Sequence, residues 1–400
     1  MQRVVITGIG VVTPLGNNIE TTWQGLTNGL SGIRHITRFD AGALPSRIAG
    51  ELKGFSPEDY LPKKDILRLD PFIHYAFASA AMAIEDAGLI NSEILSSAGV
   101  IIGSSRGGIM TIEQSIQNFR LSAYLMPATT ISMASSYISM RFGIRGHAIG
   151  ISTACASGAT AIIEAVRLIR DGEIDLAIAG GSEAPICRLA IGGYSAAGAL
   201  SKRNDEPERA CRPFDKDRDG FVIAEGAGVI VIERLEHALK RGAEIYAEII
   251  GYGTSSDALH PTMPCSDGEA IAINKALRGA GVKIDDIDYI NAHATSTIVG
   301  DRTESEAIKK VFGRRAYDIP ISASKSMLGH MLGGAGAVEA AITAISLKRG
   351  VITPTINLEC PDVQLNHIRK TEPKDINIAI SHSFGFGGVN AVLVLRRFEG

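Results

Sequence analysis

A cysteine among small residues is the strongest candidate for chemistry in this sequence. Cys155 lies in the segment Ile-Ser-Thr-Ala-Cys-Ala-Ser-Gly, where a strand pattern changes to a helical one. A thiol at a helix N-terminus lies at the positive end of the helix dipole, which lowers its pKa and favours the nucleophilic thiolate. Small neighbours let a thioester approach and leave backbone N–H groups free to face it. We therefore predict a nucleophile at Cys155, and the alternative is a buried, unreactive cysteine.

Two histidines follow later strand patterns. His293 stands in Asn-Ala-His-Ala-Thr-Ser-Thr, and His330 stands in Lys-Ser-Met-Leu-Gly-His. Loops that leave the strands of an α/β sheet are the usual place for catalytic groups. Each histidine alone could equally be a hydrogen-bonded core residue. A third segment, Ser-Phe-Gly-Phe-Gly-Gly at residues 383–388, has glycines that can turn backbone N–H groups toward an anion.

Composition restricts the class of protein. The 400 residues are 45% hydrophobic and 21% charged, with a formal net charge of -3. A nucleic-acid binder usually needs a basic excess, and no apolar run reaches the roughly 20 residues of a membrane span. The five cysteines are widely spaced, no two form a Cys-x-x-Cys pair and no signal peptide opens the chain, so we expect free thiols in a cytoplasmic protein and no structural zinc.

Short β-branched runs alternate with Ala-rich stretches, which indicates an α/β fold with helices covering buried sheets. A weak repeat relates Gly158-Ala-Thr-Ala-Ile-Ile-Glu to Gly334-Ala-Gly-Ala-Val-Glu, each preceding a charged loop and a strand. We expect two similar halves, residues 1–245 with Cys155 and residues 246–400 with both histidines. The predicted helices are Phe72–Ala87, Ala156–Arg170, Glu269–Ala280, Thr303–Val311 and Ala335–Leu347.

Taken together, these motifs resemble the β-ketoacyl-acyl carrier protein synthases of the thiolase superfamily, most closely the type II elongating enzymes. The resemblance runs from Val-Ile-Thr-Gly-Ile-Gly near the start to Phe-Gly-Phe-Gly-Gly-Val-Asn near the end, and includes Arg-Pro-Phe-Asp-Lys-Asp-Arg-Asp-Gly-Phe at residues 212–221. It implies a thiolase-like fold with five layers, αβαβα, built from two similar halves. It also implies a dimer, either a homodimer or a heterodimer of a ketosynthase and a chain-length factor.

The resemblance implies a decarboxylative Claisen condensation. Cys155 would accept an acyl chain from acyl carrier protein, and His293 and His330 would stabilise the enolate of malonyl-carrier protein. The N–H groups of Cys155 and Phe384 would form an oxyanion hole, and Phe384 would also gate the acyl site. Lys325 and Glu339 match residues that organise the second histidine and its surroundings.

Binding roles follow from the same resemblance. Thr295 and Thr297 match the pair that holds the phosphopantetheine arm, which the carrier protein supplies, and we expect no cofactor or metal on the enzyme. Basic residues suit an acidic carrier protein, and the matching segment contains Lys63, Lys64 and Arg68. An ordinary solvated helix face is the alternative for these three. The EF-hand-like start at residues 215–220 lacks the glutamate at the twelfth loop position, so we interpret it as a structural loop.

Departures from the family pattern leave the acyl cargo open. Ala294 and Ile298 replace a glycine and a proline in the loop that carries His293. Arg106 and Tyr194 stand where the elongating enzymes have an aliphatic residue and a phenylalanine in the acyl pocket. Polar groups there predict a pocket that is shorter, more polar, or open to a dimer interface.

Three functions are compatible with these residues. Fatty acid elongation is the first interpretation, and the ketosynthase subunit of a type II polyketide synthase is the alternative. A non-catalytic partner subunit is less favoured because such chains lack the cysteine.

Overall fold

The computed structural model describes residues 2–119 and 121–399. Its strands, in chain order, are β1 (Val4–Val12), β2 (Arg34–His35), β3 (Ile48–Ala49), β4 (Gly99–Gly103), β5 (Ala148–Ile151), β6 (Leu176–Glu183), β7 (Gly226–Arg234), β8 (Ala247–Ser256), β9 (Tyr289–Asn291), β10 (Pro320–Ser322), β11 (Val351–Ile352), β12 (Asn366–His367), β13 (Glu372–Pro373), β14 (Ile378–Gly385) and β15 (Val389–Arg396).

The α-helices are α1 (Ile19–Thr27), α2 (Lys63–Ile66), α3 (Pro71–Asp86), α4 (Ile109–Gln117), α5 (Leu125–Thr129), α6 (Met133–Phe142), α7 (Ser157–Arg170), α8 (Arg188–Ala196), α9 (Leu235–Lys240), α10 (Ser266–Ala280), α11 (Ile298–Phe312), α12 (Lys325–Leu328) and α13 (Ala335–Arg349). Short 3-10 helices cover Pro57–Asp59, Glu93–Ser97, Pro207–Arg209, Ile284–Asp286, Gly313–Tyr317 and Leu332–Gly334. No helix among the described residues is long and apolar enough to cross a membrane.

The strand order repeats between the two halves of the chain. In the first half the order is β1-β7-β6-β4-β5, with the first two pairings antiparallel and the last two parallel. In the second half the order is β8-β15-β14-β9-β10, with the same sequence of directions. A short antiparallel pairing between β1 and β8 joins the two, and β12, parallel to β10 at the edge, completes one eleven-stranded sheet. The fold is therefore thiolase-like, and its two halves have the same topology.

Three apolar clusters define five layers. The largest contains the buried faces of α7 and α13 together with residues of both half-sheets. The second packs α3 and its neighbours against the outer face of the first half-sheet, and the third packs α10 and α11 against that of the second. Residues Ala335–Leu347 of α13 are all buried, as expected for a helix enclosed between two sheets. The order of layers is αβαβα.

Glycines in β1 allow the outer helix to lie close to the sheet. A Cβ added to Gly8 would lie 2.2 Å from the carbonyl oxygen of Ala83, and one added to Gly10 would lie 2.0 Å from that of Ser79. Both carbonyls belong to α3. The Gly-Ile-Gly sequence therefore serves packing between a helix and a strand.

Strand ends bring the candidate residues together. Cys155 follows β5, His293 follows β9 and Lys325 follows β10, while Phe384 lies in β14. Because these strands come from both half-sheets on either side of α7 and α13, the loops meet where the two halves join. The fold thus places groups from distant parts of the sequence at one location.

Candidate active site

The turn before α7 holds Cys155 in a constrained position. Ala154 has a φ of 49°, a left-handed conformation that costs an alanine about 1 kcal/mol or more. Ser157 stabilises the turn, since its Oγ accepts from the N–H of Thr153 at 2.9 Å and donates to the carbonyl of Ala154 at 2.6 Å. The thiol is buried. The strand-to-helix transition expected at this position is confirmed.

The pKa expected for Cys155 is wrong for the unliganded chain. Burial raises the pKa of the thiol to about 11, although Lys325 and the N–H of Phe386 favour the thiolate. Desolvation of a charged sulfur therefore exceeds the effect of the helix terminus. The thiol of Cys155 is therefore neutral near neutral pH in the unliganded chain.

Two phenylalanines of the glycine-rich segment lie close to the predicted catalytic groups. The backbone N–H of Phe386 favours the thiolate form of Cys155, and Phe386 lines the same cavity as the thiol. The ring of Phe384 packs instead against His293, with ring centroids 5.9 Å apart. The N–H that favours the thiolate therefore belongs to Phe386, two positions after Phe384, and the oxyanion-hole role expected of the Phe384 N–H stays a prediction.

His293 and His330 lie side by side in the site. Their ring centroids are 5.4 Å apart and the rings are nearly perpendicular. Burial, and secondarily the charge of Lys325, lowers the pKa of both imidazoles well below the usual value. They are therefore neutral near neutral pH, and a neutral imidazole can donate one N–H. Neither ring nitrogen of His330 has a hydrogen-bond partner among the described residues.

A buried ion pair supports His293. Nζ of Lys325 lies 2.5 Å from Oε1 of Glu339 and 3.3 Å from Nδ1 of His293. An ammonium group only donates, so Nδ1 of His293 accepts and its proton lies on Nε2. Burial raises the pKa of Glu339 to about 6, and Lys325 and Ser324 oppose the rise. The expectation that Lys325 and Glu339 organise the second histidine is thus corrected, because Lys325 contacts His293, the first histidine, and Glu339 contacts Lys325.

One further buried residue contacts the loop of His293, a second contacts that residue, and neither was predicted from the sequence. Glu304 accepts the backbone N–H groups of His293 at 2.9 Å and Ala294 at 2.7 Å. Nδ1 of His382 lies 2.9 Å from the same carboxylate. The sequence does contain a signal for Glu304. It lies three residues after Asp301 and four before Ile308, on one face of α11, and all three side chains are buried. No comparable sequence pattern predicts a role for His382, which is a single histidine between two serines in the buried strand β14.

A cavity of about 340 Å³ joins most of the predicted site residues. Those that line it are Cys155, Tyr194, His293, Thr295, Thr297, His330 and Phe384, and Phe386 lines it as well. Lys325, Glu339 and Arg106 do not line the cavity. Lys325 contacts His293, Glu339 contacts Lys325, and Arg106 contacts Tyr194. The cavity wall combines a thiol, two neutral imidazoles and aromatic rings, which suits a reaction in which negative charge develops on oxygen away from water.

Arg106 and Tyr194 form one polar unit. Nε of Arg106 donates to the hydroxyl of Tyr194 at 3.0 Å, and the backbone N–H of Arg106 donates to Glu183 at 2.9 Å. Tyr194 is buried, with its ring edge against Phe221, and burial raises its pKa to about 12. Arg106 is exposed. The phenol of Tyr194 therefore lines the cavity, whereas the guanidinium of Arg106 bonds the phenol without lining the cavity itself.

The two threonines lie at the start of α11. Their hydroxyl oxygens are 3.1 Å apart, and Oγ1 of Thr297 caps the helix by accepting from the N–H of Gly300 at 3.1 Å. Arg218, from the EF-hand-like segment, donates to the carbonyl of Thr297 at 3.0 Å. The EF-hand-like segment therefore stabilises the loop before α11. No cluster of metal-ligating side chains is found among the described residues.

The predicted docking residues lie on the surface away from the cavity wall. Lys63 and Lys64 open the short helix α2, and Arg68 follows it; all three are exposed. The guanidinium of Arg68 lies over the ring of Tyr124 at 4.5 Å from its centroid. Their role in docking stays a prediction.

Comparisons with known proteins cover the whole chain. The beta-ketoacyl synthase N-terminal domain matches residues 1–238, and the beta-ketoacyl synthase C-terminal domain matches residues 246–359. The 3-oxoacyl-[acyl-carrier-protein] synthase 2 of Coxiella burnetii is 46% identical over 99% of both chains, and that of Rhizobium meliloti is 45% identical over 100% of both.

Solved structures agree with these relatives. A beta-ketoacyl synthase from Burkholderia phymatum has a TM-score of 0.94 at 36% identity, and the ishigamide ketosynthase/chain length factor has 0.91 at 37%, each over 100% of both chains. The fold, the cysteine-histidine cavity and the full-length relatives agree. This chain belongs to the beta-ketoacyl synthase family, whose members are acyltransferases that form carbon–carbon bonds.

Proposed function

We propose that this chain is a β-ketoacyl-acyl carrier protein synthase of fatty acid elongation. The observation that carries the proposal is the convergence of Cys155, His293 and His330 on one buried cavity. The relatives named 3-oxoacyl-[acyl-carrier-protein] synthase 2, at 45–46% identity over the full length, favour elongation over the other activities.

In the first step Cys155 takes the acyl group. Its sulfur attacks the thioester carbonyl of the acyl-carrier protein, the new carbon–sulfur bond forms, and the pantetheine thiol leaves with the proton that Cys155 gives up. The tetrahedral oxyanion lies at the backbone N–H groups of Cys155 and Phe386, in place of the pair with Phe384. Preorganised donors of this kind are worth several kcal/mol in a water-excluded site.

In the second step malonyl-carrier protein provides the nucleophile. Its carboxylate leaves as carbon dioxide, and the electron pair moves into an enolate whose oxygen accepts hydrogen bonds from His293 and His330. The enolate carbon attacks the acyl carbonyl, and Cys155 leaves as a thiolate. Neutral imidazoles suit this role because each can donate its single N–H to a developing negative charge.

Neighbouring residues orient these groups. Lys325 holds His293 in the tautomer that donates from Nε2, and Glu339 neutralises the lysine. Thr295 and Thr297, at the cavity wall, bind the phosphopantetheine arm. That arm arrives on the carrier protein, so we propose no cofactor resident on the enzyme.

Carrier protein is the proposed partner. A solved relative at 33% identity is described as a type II PKS acyl-carrier protein in complex with its ketosynthase. Lys63, Lys64 and Arg68 supply positive charge for an acidic carrier. A homodimer suits the elongating function, and the free cysteines of the described chain suit a cytoplasmic location.

A second candidate is the ketosynthase subunit of a type II polyketide synthase, which would pair with a chain-length factor. The hydrogen bond between Arg106 and Tyr194 favours it, because a polar wall disfavours a long alkyl chain. Elongation of palmitoyl-length saturated chains by the isolated chain would count against this candidate.

The test of the proposed function uses the purified chain and labelled acyl-carrier protein. We expect label on the wild-type protein and none on Cys155→Ala, and, after malonyl-carrier protein is added, a β-ketoacyl product. Cys360→Ala, which removes an exposed cysteine, is the matched control and should be labelled like wild type. Label that persists on Cys155→Ala would refute the nucleophile.

A further inference from the structure

A third buried histidine, His382, lies close to the cavity that His293 and His330 line but does not line it. His382, in β14, is 0% exposed, and its Nε2 has no hydrogen-bond partner among the described residues. Its Nδ1 lies 2.9 Å from Oε1 of Glu304. Because Glu304 already accepts two backbone N–H groups, Nδ1 of His382 must be the donor in this contact. His382 takes no part in the two reaction steps proposed for Cys155, His293 and His330.

Glu304 fixes the backbone that carries His293. Its two oxygens take the successive N–H groups of His293 and Ala294, which form a clamp on this loop. Ala294 has a φ of 29° and Ser296 a φ of 71°, conformations that non-glycine residues avoid. A strained loop keeps its shape only where surrounding contacts impose it. The position of the His293 ring therefore depends on where the Glu304 carboxylate is held.

His382 fixes the position of that carboxylate. Its side chain, from β14, donates a hydrogen bond to the carboxylate of Glu304, and its ring packs against Phe384 with the ring centroids 5.3 Å apart. Phe384 in turn contacts the ring of His293. Two contacts thus connect His382 to His293, one through the carboxylate and one through the phenyl ring.

The turn of Cys155 has different supports. Ser157 and Thr153 hold it through bonds at the start of α7, and the N–H of Phe386 faces the thiol. None of these bonds includes Glu304 or His382. A change at His382 should therefore disturb the imidazole and leave the thiol in place.

We propose that His382 is a positioning residue for His293, required for the decarboxylation of malonyl-carrier protein and not for the loading of Cys155. This rests on the proposed function, in which the two half-reactions use different groups. Misplacement of a catalytic group by about 1 Å can cost up to about 100-fold in rate. Only decarboxylation, the step that depends on His293, should show this loss of rate.

The experiment measures the two half-reactions separately in His382→Phe. Acyl transfer is followed as label on Cys155, and decarboxylation as carbon dioxide from malonyl-carrier protein in the Cys155→Ala background. We expect decarboxylation to fall by roughly 10- to 100-fold while acylation changes by less than about twofold. Because acylation requires the folded site, its retention also shows that the variant is folded.

Two further variants make the result specific. His382→Asn retains a side-chain N–H that can donate to Glu304, and it should recover most of the decarboxylation rate. His74→Phe replaces another buried histidine with an unpartnered Nε2, on α3, and should change neither step. If His382→Phe does not fold, Glu304→Gln examines the same contact from the carboxylate side and should show the same selective loss.

The outcomes separate the two proposals. Equal loss of both half-reactions, or no loss of either, in the folded variant would overturn the role of His382. A wild-type chain that neither loads an acyl group nor decarboxylates malonyl-carrier protein would instead overturn the proposed function.

Discussion

At the scale of single residues, burial decides the electrostatics of the site. Desolvation raises the pKa of Cys155 and lowers the pKa of His293 and of His330, so all three groups are neutral near neutral pH in the unliganded chain. A neutral thiol avoids unproductive alkylation, and neutral imidazoles avoid the cost of a buried charge.

The raised thiol pKa predicts how the free enzyme reacts with iodoacetamide. The thiolate is the reactive form, and its fraction rises about tenfold per pH unit below the pKa. Because that pKa is about 11, alkylation of Cys155 should accelerate steadily from neutral pH to about pH 10 without a plateau. Mass spectrometry of the Cys155 peptide measures the rate. A plateau near neutral pH would show that the helix terminus exceeds burial after all.

The ion pair of Lys325 and Glu339 predicts a loss of both stability and activity. Both side chains are almost fully buried, with 1% and 2% exposed. Lys325→Met leaves an unpaired buried carboxyl group and should lower the free energy of unfolding by about 3–5 kcal/mol. It also removes the donor to Nδ1 of His293, so decarboxylation should fall further than acylation. Urea denaturation and the two half-reaction assays measure these effects.

A double substitution is the control for the lysine. Lys325→Met with Glu339→Leu removes both charges, so most of the lost stability should return. The decarboxylation rate should not return, because the donor to His293 is still missing. Recovery of both would mean that Lys325 acts only through folding.

At the scale of elements, the pattern of apolar residues located helices better than it located their ends. The predicted helices Ala156–Arg170 and Ala335–Leu347 agree with α7 and α13 within two residues at each end. The helix predicted at Thr303–Val311 begins five residues earlier, at Ile298, because Thr297 caps it. A capping threonine in a polar loop carries little apolar signal, so periodicity missed this first turn.

Close packing of α3 on β1 predicts the effect of enlarging a glycine. Gly10→Ala would place a methyl group 2.0 Å from a backbone oxygen of α3, which cannot move without displacing the helix. Unfolding should become easier by about 2 kcal/mol or more, seen as a lower Tm. Gly193→Ala is the matched control, because an added Cβ there meets no atom within 4 Å and the residue lies in a helix. A normal Tm for Gly10→Ala would contradict the packing argument.

At the scale of the whole molecule, the duplicated topology explains why the site lies at the join of the halves. The β5–α7–β6 unit of the first half and the β10–α13–β14 unit of the second occupy equivalent places in their half-sheets. The loop after β5, which carries Cys155, therefore faces the loop after β10, which carries His330. The division of the chain at residue 245 stays a prediction.

Recognition of the carrier protein is a prediction at the same scale. Lys64→Glu reverses a charge of the proposed docking surface, so kcat/KM with malonyl-carrier protein should fall, most strongly at low ionic strength. The rate with a small malonyl-pantetheine thioester should not change. Lys370→Glu, at another exposed site, is the matched control for net charge. Equal effects of the two substitutions would place docking elsewhere.

Local sequence patterns were enough to establish the α/β class, the duplicated halves and the candidates Cys155, His293 and His330. These follow from local patterns, since a strand exit, a small-residue helix or a repeat is visible in neighbouring residues. Only the folded chain shows that the N–H of Phe386 favours the thiolate, that Glu304 accepts the N–H groups of His293 and Ala294, and that His382 contacts Glu304. It also shows that the thiol is neutral at rest. Hydrogen-bond partners and desolvation depend on groups far apart in the chain, so only the folded arrangement determines them.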